Sequence, residues 1–200
     1  MTRPDPSSPP PRDEAPRIAS DPARSELSAA HRAALEAYDL GLTRMDEMPG
    51  RAAMDAETAD YAEFVLIVLR RSGNPGESGR NILARNDFLL QSPVPGRRYT
   101  QRCPNCRRPT IYHERYLHAV CDHCQSRATD RAGRRIIGFN TGFGGGMIAY
   151  YADTVEHSDG SQREECVETT RTGVCFVDGH PATMQEARFG GIVVQMTPAG

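Results

Sequence analysis

The sequence reads as an α+β protein, with helices in its N-terminal part, a cysteine-organised module in the middle and an antiparallel sheet at its C-terminal end. Three observations predict this. Apolar residues recur at three- and four-residue spacing from residue 27 onward, two C-x2-C pairs lie between residues 103 and 124, and short apolar runs bounded by Gly, Asp or Asn follow residue 135. Composition limits the rest. Of 200 residues 38% are hydrophobic and 6% aromatic, with no Trp, so the core is thin for the length. The run Phe64 to Leu69 spans six apolar residues, against the roughly 20 that a membrane helix needs. Pro and acids stand where a signal peptide would be apolar, so a cytoplasmic protein without membrane contact is expected.

Residues 1–26 hold seven Pro among Ser, Asp, Glu and Arg. Such a stretch cannot bury enough apolar surface to offset its ordering entropy, and a disordered tail is expected. Residues 27–96 form the helical region. Asp21-Pro22 offers an N-cap followed by Pro at the first helical position. Leu27, Ala30, Ala34, Tyr38, Leu42 and Met45 then share one helical face, which Pro49-Gly50 ends. A second helix is predicted from about Ala53 to Arg71, burying Phe64 to Leu69 and placing Arg70 and Arg71 at its negative end. Ser72-Gly73-Asn74-Pro75-Gly76 stops it. Asn81 to Gln91 adds a short helix or strand, and Ser92-Pro93-Val94-Pro95-Gly96 marks a boundary.

Residues 97–135 carry the strongest signal. Cys103-Pro104-Asn105-Cys106 and Cys121-Asp122-His123-Cys124 are separated by 14 residues. A C-x2-C turn aims both sulfurs at one ion, and two such turns supply four tetrahedral thiolates at about 2.3 Å from zinc. The stretch resembles the zinc-ribbon family: two knuckles, CPNC and CDHC, around a span that can form a hairpin from Thr110-Ile111-Tyr112 and Tyr116-Leu117-His118-Ala119-Val120. The likeness covers about a fifth of the chain and implies a central zinc ribbon but no single activity, because such ribbons serve transcription factors, polymerase subunits, ribosomal proteins, primases and other enzymes. The residues ask for an ion independently of the likeness. Only Ile111, Leu117 and Val120 are large aliphatics here, too few for a free-standing core, whereas structural zinc contributes roughly 10–16 kcal/mol in small modules. Two redox-active dithiols and two disulfides are the competing readings, and both are disfavoured by paired knuckles in a chain read as cytoplasmic. Four thiolates leave no open coordination position, so the Zn²⁺ at Cys103, Cys106, Cys121 and Cys124 is expected to be structural. His113, His118 and His123 are read as surface or supporting residues.

The net charge of −2 conceals an asymmetry. Residues 97–135 hold ten Arg and three acids, a balance of +7, between flanks of −4 and −5. All 24 basic residues are Arg. With Zn²⁺ and four thiolates counted, the module keeps about +5. Arg97, Arg98, Arg102, Arg107, Arg108 and Arg115, interleaved with Tyr112 and Tyr116, are the candidates for contact with DNA or RNA, guanidinium groups meeting phosphates and rings meeting unpaired bases. The competing reading is a protein-interaction module with a purely structural zinc site, its Arg balancing the acidic flanks. The sequence does not indicate an oligomeric state.

Residues 136–200 turn to β character. Ile136, Ile137 and Phe139, then Met147 to Ala152, Val174 to Val177 and Ile192 to Val194 form the apolar runs of an antiparallel β region. Asp178-Gly179 between Val177 and His180 signals a tight hairpin. His157, Asp159, Glu164, Glu165, Cys166, Glu168, Cys175, Asp178, His180 and Glu186 could carry chemistry, which makes an enzyme with its site in this region the third reading. Cys175 sits in an apolar strand, where a buried inert thiol outweighs a nucleophile activated by His180. A second metal site from Cys166, Cys175, His157 and His180 would have irregular spacing. Gly142 to Gly146 lacks the GK[ST] ending of a phosphate loop and reads as a connection between strands. No catalytic residue is assigned.

Overall fold

The structure is a computed structural model that describes residues 27–142, 145–156, 163–188 and 190–198. The Pro-rich stretch 1–26, including Asp21-Pro22, lies outside the described residues, as do His157 and Asp159. The architecture is α+β, with helices first and a C-terminal antiparallel sheet.

Helix α1 (Ala29–Asp39) starts at Ser28, whose hydroxyl accepts the His31 N–H. It ends at Asp39, ten residues before the expected stop at Pro49-Gly50. Gly41 takes up φ +76, and the Leu42 N–H donates to the Ala37 carbonyl at 2.9 Å, a left-handed cap that closes the helix. Leu42 and Met45 therefore leave the helical face on which their spacing placed them. Met45 is nonetheless fully buried, in a single 3-10 turn (Met45–Glu47) whose first N–H donates to Glu63 Oε2 at 2.9 Å.

Helix α2 (Ala56–Ser72) is capped by Asp55, whose carboxylate accepts the Thr58 N–H at 2.8 Å, and carries Arg70 and Arg71 in its last turn. It buries Val65, Leu66 and Leu69 completely, against Leu35 and Ala34 of α1, Ile82 of α3 (Gly79–Arg85) and Leu89. Each such side chain contributes roughly 1.5–3 kcal/mol. This is the first of two buried clusters.

The central module departs from the predicted hairpin. Strand β1 (Thr100–Arg102) pairs antiparallel with β2 (Pro109–Ile111), Thr100 opposite Ile111 and Arg102 opposite Pro109, so the hairpin closes around the first knuckle itself. Residues 116–120 are not the partner of β2. Instead Ala119 bridges Gln195, the Val120 N–H donates to the Val194 carbonyl, and the Met196 N–H donates to the His118 carbonyl, each bond 3.0 Å. The knuckle is a turn tight enough to fold residues 109–111 back onto 100–102, which leaves 116–120 to the edge of the C-terminal sheet. On its other side the hairpin is tied to α2, where Asp60 accepts the N–H groups of Tyr99 and Thr100 at 2.7 and 3.1 Å.

The C-terminal sheet has the order β3 (Ala128–Thr129), β6 (Val174–Val177), β7 (His180–Glu186), β8 (Ile192–Met196), all antiparallel. The Asp178-Gly179 turn joins β6 to β7 with φ of 52 and 80, as a two-residue hairpin of this hand requires. A separate hairpin, β4 (Ile136–Asn140) and β5 (Met147–Tyr151), packs on β7 and β8 so closely at Gly138 that a Cβ there would lie 2.7 Å from Met184 Sδ. Short helices α5 (Ala152–Glu156) and α6 (Val167–Thr172) complete this half. Between the module and the sheet lies the second buried cluster, which joins Ile136, Val177, Met184 and Val194 to Cys103, Cys121 and Cys124.

Candidate metal centre and its basic surface

Two different local devices deliver the sulfurs. In the first knuckle the Cys103 carbonyl accepts the Arg107 N–H at 2.9 Å, the Cys103 N–H donates to the Arg108 carbonyl at 2.8 Å, and Arg107 adopts φ +63. This turn presents Cys103 and Cys106 to the same side. In the second, Cys121 caps the one-turn helix α4 (Asp122–Gln125), and the Cys124 N–H donates to the Cys121 carbonyl at 3.0 Å. Residues three apart on such a turn share a face.

The four ligand atoms all lie within 4.8 Å of one another, with Cys103 Sγ 3.8 Å from Cys124 Sγ and Cys106 Sγ 3.5 Å from Cys121 Sγ. A tetrahedral ion with sulfur at about 2.3 Å holds neighbouring sulfurs about 3.8 Å apart. The cluster thus has the size of a metal site. All six cysteines are free thiols, and among the described residues no other group of three or more His, Cys, Asp or Glu gathers at such distances.

Hydrogen bonds set the charge on these sulfurs. The contact with Cys121, aided by the backbone amides of Cys106, Cys121 and Asn105, brings the Cys103 thiol down to about 4. The same contact, followed by burial, pushes Cys121 up, and burial pushes Cys124 up to about 11. The Cys103 thiolate is thus favoured, whereas Cys121 and Cys124 hold their protons more tightly and would give them up on binding a cation.

A support the sequence reading missed surrounds the sulfurs. Asn105 Nδ2 donates to Cys124 Sγ at 3.3 Å and to Asp178 Oδ2 at 2.6 Å. Asp178 also pairs with Arg127, whose guanidinium lies 3.1 Å from His123 Nε2. These bonds, Asn105 foremost, hold the Asp178 carboxyl below its ordinary range. The Asp-Gly turn, read from sequence as a hairpin signal with Asp178 also among the candidates for chemistry, therefore also braces the four-cysteine cluster. Asn105 inside the first knuckle was the available clue, because an amide can donate to a thiolate.

The expected nucleic-acid residues divide by place. Arg97, Arg98, Tyr112, Arg115 and Tyr116 line one groove of about 820 Å³, walled by residues 96–98, Thr110, residues 112–116, the second knuckle, and Ala187, Arg188 and Gly190 between β7 and β8. Arg98 lies over the Tyr112 ring at 4.9 Å and Arg97 over Tyr99 at 5.2 Å. Burial against the groove walls and the nearby Arg71 charge hold the His113 imidazole below its ordinary pKa, which favours its neutral form. Arg102, Arg107 and Arg108 are exposed outside this groove. Among the described residues, none of these six arginines forms an ion pair with a carboxylate. By contrast Arg127 pairs with Asp178, Arg131 with Glu168, and Arg134 with Asp153 and Glu164.

Among the described residues, the suspected pairing of Cys175 with His180 is not assembled. Cys175 is fully buried opposite Ala182, its thiol pushed up to about 12 by burial, while His180 stands exposed at the turn. Cys166 is buried beside Thr169. No helix among the described residues is long and apolar enough to cross a membrane. No protein-family model, curated protein or solved structure matches this chain.

Proposed function

We propose that Cys103, Cys106, Cys121 and Cys124 hold a structural Zn²⁺ in a ribbon-like module, and that the arginine face this ion organises contacts nucleic acid without catalysing a reaction. Zinc fits the donor set, because four thiolates in a tetrahedral array suit it and leave no position for substrate. The observation that carries the nucleic-acid reading is the state of Arg97, Arg98, Arg102, Arg107, Arg108 and Arg115: exposed, close in sequence and without a carboxylate partner among the described residues. Groups of that kind neutralise phosphates.

Metal analysis of protein purified under reducing conditions should return one zinc per chain, and Cys103→Ser or Cys121→Ser should abolish it. Titration against single- and double-stranded DNA and RNA at two ionic strengths should show log affinity falling steeply with log salt. Replacing Arg107, Arg108 and Arg115 together should flatten that slope while zinc stays bound. The ion pairs of Arg127, Arg131 and Arg134 favour a second reading, in which the module is an interaction scaffold that balances its own acidic flank. Absence of any nucleic-acid affinity at low salt would select it.

A further inference from the structure

We propose that the groove between the β1–β2 hairpin, the second knuckle and the β7–β8 connection is the binding site for unpaired nucleotides of a single strand, whether RNA or DNA. This rests on the nucleic-acid reading above and narrows it to one form of nucleic acid and one place. At about 820 Å³ the groove has the size of cavities that enclose a ligand of drug-like dimensions, room for a nucleotide or two rather than a duplex.

Its walls are set before any ligand arrives. Arg98 Nε donates to the Thr100 carbonyl at 2.8 Å, which fixes the guanidinium plane over Tyr112. The Tyr116 hydroxyl accepts the Arg188 N–H at 3.0 Å, so its ring is anchored from the β7–β8 side, and His113 lies 6.2 Å from it in an edge contact. A guanidinium held over a tyrosine ring and an imidazole beside a second tyrosine are both surfaces on which a base stacks. In a duplex those base faces are already occupied by neighbouring bases, so such walls select an unpaired strand. The remaining N–H groups of Arg97, Arg98 and Arg115 are left for its phosphates. Two acids share the groove, Glu114 and Asp122. Asp122 is taken up by a bidentate pair with Arg71 at 2.5 and 2.6 Å, which also locks α2 to the second knuckle.

The test titrates the zinc-loaded full chain with a short single strand carrying 2-aminopurine, as DNA and as RNA, and with the same sequence as a duplex. Stacking in the groove should quench the probe, and the strand should bind about tenfold or more tightly than the duplex at equal salt. Arg98→Ala and Tyr112→Leu should each weaken strand binding about tenfold and remove the quenching with zinc content unchanged, whereas Tyr112→Phe should retain both. Arg98→Ala carries the test should Tyr112→Leu fail to fold. Quenching with either backbone supports the site. Equal affinity for strand and duplex, or wild-type quenching by the Arg98 and Tyr112 variants, would overturn the groove while the broader reading stands. No binding of any nucleic acid at low salt would overturn both.

Discussion

Asn105 joins the sulfur of Cys124 to the carboxylate of Asp178 and so couples the metal centre to a hairpin more than 70 residues away. Removing such a partner commonly costs 10- to 100-fold in metal affinity. Asn105→Ala is therefore expected to weaken zinc binding about tenfold in a chelator competition, with Asp178→Asn a smaller effect because the amide retains part of the contact. Glu63 is a second residue with a measurable signature. It lies in the helical core with Oε1 unpartnered, and burial pushes its carboxyl up to about 7 against an ordinary 4.5. The folded protein binds this proton more tightly than the unfolded chain, so its contribution is complete below about pH 4.5 and is lost as pH rises through 7. Glu63→Gln, whose amide oxygen can still accept the Met45 N–H, should raise stability at pH 8 by about 2–3 kcal/mol and leave it little changed at pH 5, measured by denaturant unfolding at fixed metal loading.

Elements were legible where a local chemical signal also held them in place. The Asp178-Gly179 turn and the runs around it became β6, β7 and β8 because a two-residue hairpin of this kind demands positive φ at both positions, which Asp and Gly tolerate. Helix α1 was overrun because the three- and four-residue spacing continues through Leu42 and Met45, whereas a left-handed Gly41 stops the backbone. Any side chain at φ +76 is strained, so Gly41→Ala should destabilise the protein by about 1 kcal/mol in thermal unfolding without touching zinc content. Residues 116–120 are expected as a strand, and residues 118–120 do pair through their backbone. Their partner is β8 rather than β2, and periodicity within the segment carries no record of its partner.

At the scale of the molecule, the four-cysteine cluster sits where three parts meet. The sulfurs belong to the buried cluster of the sheet, β1 leans on α2 through Asp60, and Arg71 of α2 grips Asp122 beside Cys121. Loss of the ion should therefore be felt beyond residues 97–135. Chelation at neutral pH is expected to lower the melting temperature and to speed hydrogen exchange at Val120 and Met196, whose N–H groups tie residues 118–120 to β8. Acid should have the same effect, because Cys121 and Cys124, both held above the ordinary thiol range, must lose their protons to bind a cation. Zinc affinity should accordingly climb with pH across the neutral range, as a competition titration at several pH values would report.

Covalent spacing is a property of the chain alone, and it singled out the four cysteines that gather: two residues between cysteines let a tight turn aim both sulfurs of a pair toward one point. The Asp178-Gly179 dipeptide fixed two strand ends for a similar local reason. Which arginines pair with acids of the C-terminal half, what residues 118–120 pair with, and which side chains wall the groove depend on groups far apart in sequence. Those arrangements exist only once the hairpin, the second knuckle and the sheet have packed together, since ion pairs and strand partners are chosen by distance in space rather than along the chain.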